Sequence, residues 1–120
     1  MNEKGLLGRS GEDLALECLE REGFSLVARN WRAGHYEVDL IVEDERSVRI
    51  VEVKTLHAGV GFDPVENVSR TKMRNLLKAA KTFYAQHPTS KEIIFDVVTV
   101  VVDGAAAEVE YIPNAFNSVL

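Results

Sequence analysis

The chain has 120 residues, 46% of them apolar and 28% charged, which suits one domain (residues 1–120) with a single core and excludes a disordered chain. One cysteine excludes an internal disulfide, and with three scattered histidines it cannot make a four-ligand zinc set. A formal charge of −5 excludes a uniformly basic nucleic-acid binder, so any hold on phosphate has to come from a local concentration of Lys and Arg.

The opening stretch MNEKGLLGRSGEDLALECLE lacks an apolar signal core, and no run approaches the roughly 18 apolar residues of a membrane span. A cytoplasmic, reducing setting with no membrane contact is expected. Residues 10–22 read as a helix, with Ser10 as N-cap and Gly23 as the C-terminal stop. Leu14, Ala15, Leu16, Cys18 and Leu19 form its apolar side, which makes Cys18 a core thiol. Glu12 projects from that same side, where a carboxylate needs a partner or an opening to solvent.

Residues 24–31 have the branched and aromatic content of a strand, and Ala33-Gly34-His35 makes a turn. Trp31, near Arg29 and Arg32, either packs in the core or stacks on a base. Over residues 36–43, alternation predicts Tyr36, Val38, Leu40 and Val42 on one face and Glu37, Asp39, Ile41 and Glu43 on the other. Residues 47–55 form the return strand, with Val48, Ile50, Glu52 and Lys54 sharing a face. A two-residue loop at Glu45-Arg46 sets Asp44 opposite Ser47 and therefore Asp39 opposite Glu52.

Residues 57–68 read as a surface loop around Pro64. Met73, Leu76, Leu77, Ala80, Phe83 and Tyr84 then follow the spacing of an amphipathic helix. From Ser69 to Gln86 there is no acid, and Arg70, Lys72 and Arg74 open a basic segment that suits either phosphates or plain solvent. Residues 93–102 form a β-branched run of the kind buried on both faces, interrupted by Asp96, which needs a backbone or arginine partner. Asp103-Gly104 marks a turn, and AEVEYI returns as an edge strand. His35, His57 and His87 sit in polar or turn contexts that suit the surface. The order predicts an α/β fold around a mixed sheet, with the strand at 93–102 parallel to that at 47–55.

Asp39, Glu52 and Lys54 form the one constellation that suggests chemistry. Two carboxylates on neighbouring strands repel unless a cation lies between them, and hard oxygen ligands suit Mg²⁺ or Mn²⁺. A lysine one pleat away can orient or deprotonate a water, so hydrolysis of a phosphodiester is the implied reaction. Glu-x-Lys is also an ordinary pattern on a wet strand face.

The segments GRSGEDLALECLEREGF, ARNWRAGHYEVDLI, VRIVEVKT, GFDPVENVSRTKMRNL, FDVVTV and YIPNAF, in order over nearly the whole chain, resemble the YraN-like family of proteins regarded as endonucleases. That family is similar to the PD-(D/E)xK, or restriction-endonuclease-like, nucleases and Holliday junction resolvases. The resemblance implies a restriction-endonuclease-like central mixed β-sheet flanked by helices and a DNA substrate, branched or structured DNA included. It makes Glu12 the acid of the first helix, Asp39 and Glu52 the metal-binding carboxylates, Lys54 the catalytic lysine, and the carbonyl of Val53 a main-chain metal ligand. Two positions depart from the family pattern: Tyr36 replaces a usual Gly, and Val38 precedes Asp39 where the signature has Pro. A homodimer is the form a junction resolvase would need. The alternative is a catalytically inactive module that keeps the fold and binds nucleic acid or a protein partner through the helix bearing Arg70, Lys72 and Arg74.

Overall fold

The computed structural model describes residues 10–59 and 70–116. The predicted loop around Pro64 falls mostly outside them. The elements run α1 (Gly11–Arg21), β1 (Ser25–Ala33), β2 (Tyr36–Glu43), β3 (Ser47–His57), α2 (Arg70–Gln86), β4 (Glu92–Asp103) and β5 (Ala106–Ile112).

Local chemistry sets both ends of α1. The Ser10 hydroxyl accepts from the Asp13 N–H at 3.1 Å, while the Asp13 carboxylate accepts from the Ser10 N–H at 3.3 Å, a reciprocal capping box. At the other end Gly23, at φ 101°, donates to the Glu20 carbonyl, and Phe24 donates to that of Leu19. This is the Schellman arrangement, which requires the left-handed residue that glycine supplies. It turns Phe24 back onto the cluster containing Leu19.

The five strands lie in the order β1-β2-β3-β4-β5, with β3 and β4 parallel and all other neighbours antiparallel. The fold is therefore α/β, a mixed sheet flanked by two helices, and is compatible with a restriction-endonuclease-like arrangement. The expected parallel pairing of β3 with β4 holds. β5 is an edge strand, as expected. Two cores lie on opposite faces. Met73, Leu76, Ala79, Ala80 and Phe83 of α2 pack on Ile41, Val48, Ile50 and Val97, whereas Ala15 and Leu19 of α1 pack on Leu40, Val42, Val51, Val98 and Val100. Tyr84, expected in the α2 stripe, is exposed, and Ala79 is buried instead. Only residues 96–100 of β4 are buried throughout; its ends are not.

The expected β2 alternation is overturned in the first half of the strand. Tyr36 and Val38 pack with Ile41 on the α2 side, while Leu40 and Val42 face α1. The neighbouring strand breaks step at the same level: Ala28 and Trp31, three residues apart, both pack on the α2 side, with Asn30 at φ 51° between them. A residue in the left-handed region reverses the sense of the pleat, and asparagine tolerates that conformation better than most side chains. This kink makes Trp31 a packing residue, edge-on to Phe83 with ring centroids 5.5 Å apart.

Candidate active site

The β2–β3 hairpin has the register that a two-residue loop dictates. Asp44 donates its N–H to the Ser47 carbonyl at 3.0 Å, and the Asp44 carboxylate accepts from the N–H groups of Arg46 and Ser47. Pairing continues from Glu43↔Val48 to Leu40↔Val51. It stops there, although β2 runs back to Tyr36 and β3 on to His57. At the next level Asp39 takes over the role of the missing backbone partner, its Oδ2 accepting the Val53 N–H at 2.8 Å. The β2 kink and the end of the ladder thus coincide at Asp39, which brings a carboxylate into the opening between the strands.

Glu52 occupies the next position on the β3 edge of that opening and is only 5% exposed. Its Oε2 accepts from the Nζ of Lys72, in the first turn of α2, and lies 3.6 Å from the Nζ of Lys54. Asp39 and Glu52 are close enough for the charge of Glu52 to act on the titration of Asp39. Burial is the main cause that pushes Asp39 up to about 6, and the charges of Glu52 and Glu12 add to it; the Val53 N–H and Lys72 pull the other way. Lys54 is lowered, first by burial and then by Lys72 beside it. Lys72 is raised, because its bond and attraction to Glu52 outweigh burial. The proton is thereby more tightly held on Lys72 than on Lys54.

Glu12 approaches from α1, on the opposite face from α2. Close packing sets that approach: a Cβ on Gly11 would clash with the Thr55 Oγ1, so glycine lets the helix start come this close to β3 with the Thr55 side chain as it stands. Arg29 reaches back from β1, its Nε 3.4 Å from Glu12 Oε1 and its Nη2 2.6 Å from Asp13 Oδ1. With its amide nitrogen turned toward the carboxylate, Asn30 donates to both oxygens of Glu12 at 3.1 and 3.2 Å. The partner that Glu12 needs is therefore the kinked stretch of β1. Among the described residues no three His, Cys, Asp or Glu side chains are grouped closely enough to hold one metal ion. Glu52 and Glu12 both lie within electrostatic reach of Asp39; Glu52 precedes the Val53 whose N–H Asp39 accepts, whereas Glu12 is held by β1.

Of the three expected phosphate-facing residues, Arg70 and Arg74 are exposed, whereas Lys72 turns inward onto Glu52. Residue patterns did not single out the hydroxyl of Tyr36. It is buried and has no hydrogen-bond partner among the described residues. Burial, and then the charges of Glu52 and Asp39, raise its pKa, which locates it beside both carboxylates. The only signal available was a bulky ring where the resembling family has Gly.

The family model described as "Uncharacterised protein family UPF0102" matches residues 11–100, from the start of α1 to the middle of β4. A UPF0102 protein of Bacteroides fragilis is 35% identical over 116 residues, 97% of this chain and 96% of the relative. Another from Chloroherpeton thalassium is 37% identical over 118 residues, 98% of this chain and 87% of the relative. A third, from Geobacter metallireducens, is 37% identical over 112 residues, 92% of each.

Proposed function

The chain belongs to the UPF0102 family, and from its site we propose that the protein is a metal-dependent endonuclease that hydrolyses phosphodiester bonds in DNA, with branched or structured DNA as its substrate class. The observation that carries this reading is the meeting of Asp39 and Glu52 in the opening where β2 and β3 stop pairing, with Lys54 against Glu52.

The donor set fits a small hard cation. Asp39, pushed up to about 6 by burial first and then by the charge of Glu52, is a carboxylate that gains when positive charge is brought to it. In an extended strand the N–H and C=O of one residue point to the same neighbour. The N–H of Val53 points to Asp39, so its carbonyl faces the same opening. Asp39, Glu52 and the Val53 carbonyl would hold Mg²⁺ or Mn²⁺, with waters completing the shell, as Mg²⁺ prefers. When bound, the ion would neutralise charge developing on the phosphodiester. Lys54, lowered by burial and by Lys72, is suited to orient the attacking water and take its proton. The Tyr36 hydroxyl, a donor with no acceptor among the described residues, is suited to a phosphate oxygen. Glu12, fixed by Arg29 and Asn30, adds negative potential behind Asp39.

The test is a cleavage screen with Mg²⁺ or Mn²⁺ over duplexes, flaps, junctions and single strands, run beside Asp39→Ala and Lys54→Ala. Metal-dependent cleavage lost in both variants is the expected result; cleavage undiminished in them would assign the activity elsewhere. One observation favours the inactive-module alternative: Glu52 is already neutralised from within by Lys72 and Lys54. Saturable DNA binding that ignores both metal and the Asp39→Ala and Glu52→Ala changes would establish that alternative.

A further inference from the structure

Lys72 pairs with an oxygen of Glu52, one of the two carboxylates that would hold the cation. The two carboxylates of the opening are matched, charge for charge, by the ammonium groups of Lys54 and Lys72. A nearly buried Glu52 needs that match, because an unpaired carboxylate removed from water is costly. A divalent ion added to this set would leave two surplus positive charges with Lys72 in place, against one if Lys72 withdrew, and a single phosphodiester charge balances one. The side chain has the means to withdraw. Lys72 stands in the first turn of α2, its side chain is 32% exposed, and it is carried on a flexible four-carbon stem between the exposed Arg70 and Arg74.

Resting on the metal-dependent reading above, we propose that Lys72 is a tethered counter-ion that competes with the divalent cation for Glu52 and, once displaced, becomes a contact to the DNA backbone. The site thus exchanges an internal ammonium for an external ion, and the released charge joins Arg70 and Arg74 on the phosphate side. Lys72 is then a positioning residue for metal and substrate, and Lys54 keeps its place beside Glu52.

The first experiment is calorimetric titration of Mn²⁺ alone into the wild type, Lys72→Met, Lys72→Arg and Glu52→Gln, each checked for fold by circular dichroism. Lys72→Met should bind Mn²⁺ about tenfold more tightly than the wild type, Lys72→Arg should stay near the wild type, and Glu52→Gln should bind weakly or not at all. Binding in Lys72→Met with none detectable in the wild type also supports the exchange. Equal or weaker binding by a folded Lys72→Met, with Glu52→Gln still impaired, overturns it and leaves the nuclease reading standing. No binding by the wild type or by Lys72→Met removes the nuclease reading and the exchange together. The second experiment measures the salt dependence of binding to a short duplex with phosphorothioate linkages, which keep the charge and resist cleavage, in EDTA and in Mn²⁺. The slope of log affinity against log salt should steepen by about one in Mn²⁺ when Lys72 is present and not in Lys72→Met. An identical slope with and without metal overturns the handover to phosphate.

Discussion

Two carboxylates, half-buried Asp39 and fully buried Asp96, sit in the same sheet and are both pushed up in pKa chiefly by burial, yet their surroundings are opposite in kind. Asp96, on the α1 face, accepts from the Tyr111 hydroxyl at 2.6 Å, the Asn114 N–H at 2.8 Å and Arg49 Nη1 at 3.2 Å. Arg49 in turn lies over the Phe24 ring, 5.2 Å from its centroid. Every part of that cluster is answered by protein, and it ties the end of β5 and the turn after it to the sheet. Among the described residues Asp39 accepts one N–H, from Val53, and feels the charge of another carboxylate, Glu52. A raised pKa alone does not separate a structural acid from a functional one. The number of protein donors left to answer the charge does.

The largest expected effect uses this contrast directly. Asp96→Ala strands Arg49, the Tyr111 hydroxyl and the Asn114 N–H, and should lower unfolding free energy by about 3–5 kcal/mol in urea melts. Lys54→Met, in the other cluster, should leave the melt within about 1 kcal/mol and cut metal-dependent cleavage by about 10²–10⁴-fold. Equal stability losses in the two variants would erase the distinction between the clusters.

Asp39 gives the next effect, with a definite sign. Its carboxyl is pushed from 3.8 to about 6 in the folded chain. Between those values the native state holds more protons than the unfolded one, so its contribution to stability is lost as pH rises through that window and stays lost above it. In EDTA, the wild type should therefore lose about 2 kcal/mol relative to Asp39→Asn between pH 4 and pH 8, allowing for partial solvation. Asparagine keeps an acceptor for Val53 and removes the charge. Parallel stability curves for the two proteins would mean that Asp39 is not strained by its neighbours.

Much of the architecture was legible because short-range chemistry specified it. The Glu45-Arg46 loop set the hairpin phase from Glu43↔Val48 to Leu40↔Val51, one pair short of the expected Asp39 and Glu52. The α2 periodicity located Met73, Leu76, Ala80 and Phe83 in the core. The misreading of β2 has one physical source, the assumption that a strand keeps a uniform pleat. Asn30 at φ 51° breaks it in β1, and β2 breaks at the same level, which carried Tyr36 and Val38 to the α2 side. Neither break changes the apolar pattern enough to be read from it. The direction of Lys72 was equally hidden: its place on the helical wheel is compatible with solvent, and only the packing of α2 on its face of the sheet brings it to Glu52.

The smallest effect sharpens the comparison most, because one chemical change is made on both sides of the sheet. Tyr111 and Tyr36 each have a hydroxyl raised in pKa first by burial and then by a carboxylate nearby. The Tyr111 hydroxyl donates to Asp96 at 2.6 Å, whereas that of Tyr36 has no acceptor among the described residues. Tyr111→Phe removes a charge-assisted bond and should cost about 2 kcal/mol. Tyr36→Phe removes a buried donor that folding leaves unanswered, so the ring keeps its packing and the protein should gain up to about 1 kcal/mol. If that hydroxyl serves a phosphate oxygen, the same variant should cleave about tenfold more slowly while binding Mn²⁺ as the wild type does. Opposite signs in the two melts, with the activity loss confined to Tyr36→Phe, would distinguish a hydroxyl kept for substrate from one kept for structure. A loss of stability in both would make Tyr36 another structural tyrosine.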